Sequence, residues 1–177
     1  MKEKRQNIIL IGFMGSGKTT LGRKIARQLG LEFLDADEEI QKQLGLSIAT
    51  IFDQHGELHF RELERTWITH FPVQFKGVIS VGGGLPCYRD NIKLLRDLGF
   101  VIYLERTPKE LFQRLTKAKK QRPLLAELNE EEMLDFIENK IHERQDFYQQ
   151  ADWTPTREEQ DVRTITEKIR EWLAIRE

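Results

Sequence analysis

The sequence predicts an α/β fold in which a parallel sheet is covered by helices on both faces. Three observations predict it. Short apolar runs alternate along the chain with segments of helical spacing, the pattern of repeated strand–helix units. The first run, Asn7 to Gly12, passes through a glycine-rich turn straight into a helix-spaced segment. The length of 177 residues suits one compact domain and leaves little room for a second.

Taken in order, Asn7 to Gly12 is a buried strand and Lys18 to Leu29 a helix, with Leu21, Ile25 and Leu29 on one face. Gly30 supplies its C-terminal stop. Glu32 to Asp35 is a second strand. Asp37 to Leu44 and Ser47 to His55 are two short helices separated by Gly45. Leu58, Phe60, Leu63 and Trp67 mark a helix running to about His70. Gly77 to Val81 is a third strand that ends in Gly82-Gly83-Gly84. Asp90 to Leu98 is helical, Gly99 stops it, and Phe100 to Leu104 is a fourth strand. Pro108 fits the first turn of a helix reaching about Lys117. From Lys117 to Leu128, Lys117, Lys119, Lys120 and Arg122 crowd before Pro123, which reads as a mobile basic loop. Glu130 to about Phe147 and Thr164 to Ile175 are helices, and Ala151 to Val162 has no readable period. Trp67 is assigned to the core. Trp172, with Ile165, Ile169 and Leu173, is expected to pack the last helix on the sheet.

Charge excludes several classes of function. Lys plus Arg total 28 against 29 for Asp plus Glu, so no whole-surface field draws nucleic acid or a membrane. Anion selectivity must therefore come from local clustering. Ile8 to Ile11 and Val78 to Val81 are too short to span a bilayer. Met1 to Asn7 is charged and lacks the apolar core of a secretory leader, so a cytoplasmic location is expected. Cys87 is the sole cysteine, which rules out an intrachain disulfide.

Gly12-Phe13-Met14-Gly15-Ser16-Gly17-Lys18-Thr19 matches the phosphate-loop pattern of Gly, four residues, then Gly-Lys-Thr. Glycines let successive N–H groups turn to one point, where the following helix presents its positive end. Lys18 is placed to reach the β- and γ-phosphates, and the Thr19 hydroxyl to ligate Mg²⁺. A guanine-specific switch is excluded. Such proteins carry Asn-Lys-x-Asp, whereas the pair Asn139-Lys140 runs on into Ile141-His142 inside a helix.

Three features point to a small anionic acceptor bearing a hydroxyl. Asp35-Ala36-Asp37 ends the second strand, where ligands collect in open parallel sheets. By strand alternation the two carboxylates point the same way, one for the metal's water shell and one for a hydroxyl. A capping role for Asp37 at the next helix is the simpler reading and can coexist. Arg61 and Glu64 can pair on one helix face, aiming a guanidinium fit for bidentate grip on a carboxylate. Alone, that pair reads as a surface ion pair. Gly82, Gly83 and Gly84 admit a ligand close to the backbone, more than a flexible turn needs.

Together these residues resemble the shikimate kinases. The resemblance rests on the nonapeptide from Gly12 to Thr20, Asp35-Ala36-Asp37, Phe60-Arg61-Glu62-Leu63-Glu64, Gly82-Gly83-Gly84, Arg122-Pro123-Leu124-Leu125, and Glu143-Arg144 followed by Tyr148. It covers about residues 7 to 150. It implies the three-layer P-loop kinase fold: a five-stranded parallel sheet, helices on both faces and a mobile lid, as in nucleoside monophosphate kinases. One kinase domain would fill residues 1–177, with the lid at about 117–128 and the acceptor-binding segment at about 37–65. ATP is the implied donor, Mg²⁺ the metal, and the 3-hydroxyl of shikimate the acceptor, in chorismate and aromatic amino acid biosynthesis. Gly15, Ser16, Gly17, Lys18, Thr19 and Thr20 would bind the nucleotide, with Arg122 closing from the lid and Arg114 stacking on adenine. Arg61 and Arg144 would grip the shikimate carboxylate, Asp37 the reacting hydroxyl, and Gly82 to Gly84 would line the pocket. Asp35 and Ser80 would reach Mg²⁺ through water. Lys18, Asp37 and Arg122 carry the catalysis in this reading. Trp153-Thr154-Pro155-Thr156-Arg157 departs from the family pattern and leaves the adenine contacts open.

The alternatives are another small-metabolite kinase such as a gluconate kinase, which needs no arginine pair like Arg61 and Arg144, and a nucleotide-binding regulatory module. A nucleoside monophosphate kinase fits less well, since the acceptor side offers little base recognition. His55 and His59 are four apart but lack further ligands, so they read as a solvated helix end. The basic positions from Lys117 to Arg122 fit ATP phosphates better than RNA. A monomer is expected.

Overall fold

The computed structural model describes residues 6–118, 125 and 128–175. β1 (Asn7–Ile11) feeds α1 (Lys18–Leu29), followed by β2 (Glu32–Asp35), α2 (Ala36–Leu44) and α3 (Ile48–Thr69). β3 (Gly77–Ser80), a single 3₁₀ turn (Leu85–Cys87), α4 (Asn91–Leu98) and β4 (Gly99–Tyr103) come next. α5 (Pro108–Ala118), α6 (Glu130–Tyr148) and α7 (Val162–Ala174) complete the chain.

The sheet is parallel throughout, in the order β2-β3-β1-β4. β1 is therefore interior, and all five of its residues are buried. Alternation along the strands sends their side chains into two cores. Ile8, Leu10, Val78, Phe100 and Ile102 face Ile25, Ile165 and Ile169, so α1 and α7 cover that side. Ile9, Ile11, Ile79, Val101 and Tyr103 face Ile68, Ile92, Leu95 and Tyr148 from α3, α4 and α6. Trp67 packs against this second core, and Trp172 stacks on Phe100 with ring centroids 5.0 Å apart. Burial on both faces accounts for the unbroken apolar runs of the strands.

The two helices expected on either side of His55 are joined as α3, with a break at Gly56 (φ 79°, ψ 170°). Ser47 caps α3, and Asn129 and Glu132 form a reciprocal capping box at the start of α6.

Where five strands were expected, the sheet has four among the described residues. Its fifth member is reduced to one parallel bridge between Trp153 and Ile102. The Asp152 and Trp153 N–H groups both go to the Val101 carbonyl, and Trp153 accepts from Tyr103 N–H at 2.9 Å. Pro155 has no N–H to carry the ladder further, and Thr156 N–H turns away to Glu159. Among the described residues, no helix is long and apolar enough to cross a membrane.

Candidate active site

Gly17 stands at the N-cap of α1 with φ 99°, a left-handed conformation that a side chain would strain. That turn aims the first amides of α1 back over the loop. Lys18 is buried and its Nζ donates to the carbonyls of Gly12 (2.8 Å) and Phe13 (3.0 Å). The ammonium is thus held over the phosphate loop, beside the positive end of the helix.

Thr19, in the first turn of α1, meets the ends of two strands. Its Oγ1 donates to Asp35 Oδ2 at 2.8 Å and lies 3.5 Å from Ser80 Oγ. The register explains the meeting, because Asp35 of β2 pairs with Ser80 of β3, which pairs with Leu10 of β1. A carboxylate and two hydroxyls make a cluster of hard oxygen donors, which fits a divalent cation such as Mg²⁺ rather than a soft metal. Among the described residues, no group of three or more His, Cys, Asp or Glu could hold a metal ion. His55 and His59 are exposed, with ring centroids 4.9 Å apart.

Asp35 also caps α2, accepting from the N–H groups of Asp37 (3.1 Å) and Glu38 (3.4 Å). The sequence offered that role for Asp37 only as an alternative to holding a hydroxyl, and placed both carboxylates on one strand face. The chain instead enters α2 at Ala36, so Asp37 comes from the first helical turn. Both still line one cavity of about 430 Å³, together with Lys18, Thr19, Ser80 and Arg114.

The glycine triplet shows why those positions carry no side chain. A Cβ on Gly82 would stand 2.8 Å from Glu64 Oε1 and 2.9 Å from Asp37 Oδ1. One on Gly83 would stand 3.3 Å from Arg144 Nη1, and also near Gly12 O and Met14 N of the phosphate loop. One on Gly84 would sit 2.4 Å from the Arg61 guanidinium carbon. The residues expected on the acceptor side therefore converge on three consecutive glycines that abut the phosphate loop. Gly82 and Gly83 belong to the cavity wall, and Arg61 and Arg144 adjoin it through the triplet.

Arg61 is held on α3 by Glu64 at 2.6 Å and Glu57 at 2.9 Å. Glu64 is fully buried and, among the described residues, its Oε1 has no hydrogen-bond partner. Burial pushes its carboxyl up to about 7, with Arg61 opposing and Asp37 adding to the rise. Arg144, on α6, lies 5.4 Å over the Phe13 ring. Arg65 ties α3 to the segment behind the triplet by bonds to Asp90 (2.6 Å) and Asn91 (2.8 Å), and Asn91 Nδ2 donates to Leu85 O. Burial pushes the Cys87 thiol up to about 11, so it stays protonated rather than nucleophilic.

A second cavity of about 480 Å³ shares Gly17, Thr20 and Arg114 with the first. Arg114 Nη1 donates to Gly15 O at 3.1 Å, which places it at the phosphate loop. The far wall includes Arg106, Arg157 and Gln160, none of which the sequence reading picked out. Gln160 Nε2 donates to Glu105 O and Pro155 O, its Oε1 accepts from Arg106, and Arg157 pairs with Glu110. This segment lacked a period because it is shaped by side-chain bonds to distant carbonyls. Arg122 and its neighbours at 119–124 lie outside the described residues.

A family model described as "Shikimate kinase" matches residues 14–174. The shikimate kinase of Phocaeicola vulgatus is 44% identical over 145 residues, covering 81% of this chain and 82% of the relative. That of Caldanaerobacter subterraneus is 37% identical over 164 residues, covering 93% and 94%. Among solved structures, shikimate kinase from Bacteroides thetaiotaomicron aligns with TM-score 0.83 at 36% identity over 95% of this chain and 98% of its own. Shikimate kinase from Acinetobacter baumannii in complex with shikimate aligns with TM-score 0.81 at 34% identity over 97% and 94%. The family match runs from within the phosphate loop through the glycine triplet and both arginine-bearing helices, and the chain belongs to the shikimate kinase family.

Proposed function

We propose that this protein transfers the γ-phosphoryl group of ATP to the 3-hydroxyl of shikimate, giving shikimate 3-phosphate and ADP for aromatic amino acid biosynthesis. The observation that carries this reading is the placement of Arg61 and Arg144 against Gly84 and Gly83, beside Asp37 and the phosphate loop. Two guanidinium groups beside a backbone without side chains suit a carboxylate, and a neighbouring aspartate suits a hydroxyl.

In this reading the chain is one kinase domain, and catalysis is alignment plus neutralisation of charge. The Gly15–Thr20 amides, Lys18 and the α1 N-terminus hold the phosphates. Lys18 exchanges its bonds to Gly12 and Phe13 for phosphate oxygens. Thr19 would ligate Mg²⁺ directly, and Asp35 and Ser80 would hold it through water. The ion, when bound, supplies positive charge to the β- and γ-phosphate oxygens. Arg61 and Arg144 grip the shikimate carboxylate, which turns the 3-hydroxyl toward Asp37, and Asp37 orients that hydroxyl and accepts its proton as the bond forms. Adenine takes the second cavity, against Arg114. Arg122, which lies outside the described residues, is the residue to which the family resemblance assigns neutralisation of the transferred phosphoryl group. The protein acts as a cytoplasmic monomer.

ADP release with Mg-ATP tests this, comparing shikimate, gluconate, a nucleoside monophosphate and no acceptor. ADP formed with shikimate alone supports the proposal. Release with gluconate instead moves Arg61 and Arg144 to another anion, and tight ATP binding without release from any acceptor favours a regulatory module.

A further inference from the structure

Tyr148 ends α6 and is fully buried, with its ring stacked on Tyr103 of β4 at 4.9 Å between centroids. Its hydroxyl donates to the Gly83 carbonyl at 2.6 Å. One turn earlier on the same helix, and so on the same face, stands Arg144. The Arg144 guanidinium lies beside that same Gly83, over the Phe13 ring of the phosphate loop. Gly83 in turn abuts Gly12 O and Met14 N. A single residue, Gly83, thus joins the phosphate loop, the glycine triplet and the second arginine, and Tyr148 holds its carbonyl.

We propose that Tyr148 is a positioning residue for the acceptor: its hydroxyl fixes the Gly83 carbonyl, and through it the place from which Arg144 meets the shikimate carboxylate. The proposal rests on the shikimate reading above. Ring packing does not need the hydroxyl, since the stack on Tyr103 fills the space by itself. Among the described residues, the other side-chain donor to Gly83 O is the Cys87 thiol at 3.9 Å, a weak one. Burial raises the phenol's pKa, with Arg144 opposing, so the group remains a donor. Without it the carbonyl lacks a strong partner, and the peptide is free to turn at the junction of the two substrate sites.

The test is Tyr148→Phe, which keeps the ring and deletes the bond. We expect the shikimate KM to rise about tenfold while the ATP KM and the melting temperature barely move. On an Arg144→Lys background the same change should add less than about twofold, because the group it positions is already altered. An unchanged shikimate KM overturns the proposal. So does a loss of equal size on the Arg144→Lys background, or an equal loss for ATP. A Tyr148→Phe chain that does not fold makes the hydroxyl structural and overturns it too. Wild-type protein that leaves shikimate unphosphorylated overturns the substrate reading, and this proposal with it. Wild-type turnover matched by Tyr148→Phe removes only the role given to the hydroxyl.

Discussion

The Arg61 guanidinium fills the place that a side chain on Gly84 would take, 2.4 Å from a Cβ built there. Gly84 has φ −90° and ψ −18°, open to any residue, so contact and not backbone conformation requires the glycine. We expect Gly84→Ala to fold and to displace Arg61 from Glu64. The shikimate KM should then rise about tenfold or more with nucleotide affinity unchanged. Steady-state kinetics with each substrate varied in turn checks this, and equal losses on both sides count against it.

Asp35 serves two ends at once, capping α2 while facing Thr19. Asparagine can cap but carries no charge. Asp35→Asn should keep its melting temperature yet need about tenfold more Mg²⁺ for half-maximal rate, the loss expected when a ligand shell is weakened. Asp35→Ala should lose about 1 kcal/mol of stability as well, through the missing cap. Magnesium titrations and thermal unfolding separate the two effects.

Glu64 gives a pH dependence with a definite sign. Its carboxyl rises from 4.5 in the unfolded chain to about 7 when folded, chiefly through burial. The native state therefore binds the proton more tightly, and stability falls as pH rises from about 4.5 to 7, then levels. The contribution is on the order of 3 kcal/mol. Unfolding free energies for wild type and Glu64→Gln should diverge across that window. Parallel curves would show that Glu64 is already ionised at the acid end.

Lys18 lies over the loop carbonyls, and Asp37 lies beside Gly82 at the cavity wall. Lys18→Ala and Asp37→Asn should each cut kcat with shikimate by about a hundredfold or more while leaving circular dichroism unchanged. Near wild-type turnover in either variant would remove it from the catalytic group.

The parts of this site that were legible in the sequence are those written in short stretches. The phosphate loop needs only the strand, the glycines and the helix from Asn7 to Leu29, and both element boundaries at α1 agree with the reading. The Arg61–Glu64 pair is a spacing on one helix. Ser80 and Arg144 came from family resemblance alone, since nothing local marks them. The bond from Tyr148 to Gly83 and the cation–π contact of Arg144 with Phe13 join residues far apart in the chain, and no period encodes them. Asp35 and Asp37 do not share a strand face, because the chain turns into α2 one residue sooner than strand alternation implies, and the cap considered for Asp37 falls to Asp35. The fifth strand failed at Pro155, whose missing N–H outweighs the architecture.

That abbreviated strand also governs how the molecule behaves in a crowd. On the outer rim of β4, the Val101 N–H and carbonyl and the Tyr103 N–H are taken by Asp152 and Trp153. At the opposite rim, β2 is four residues long and turns at once into α2. Neither border offers a long unsatisfied ladder onto which another copy could add a strand, so the sheet resists edge-to-edge aggregation.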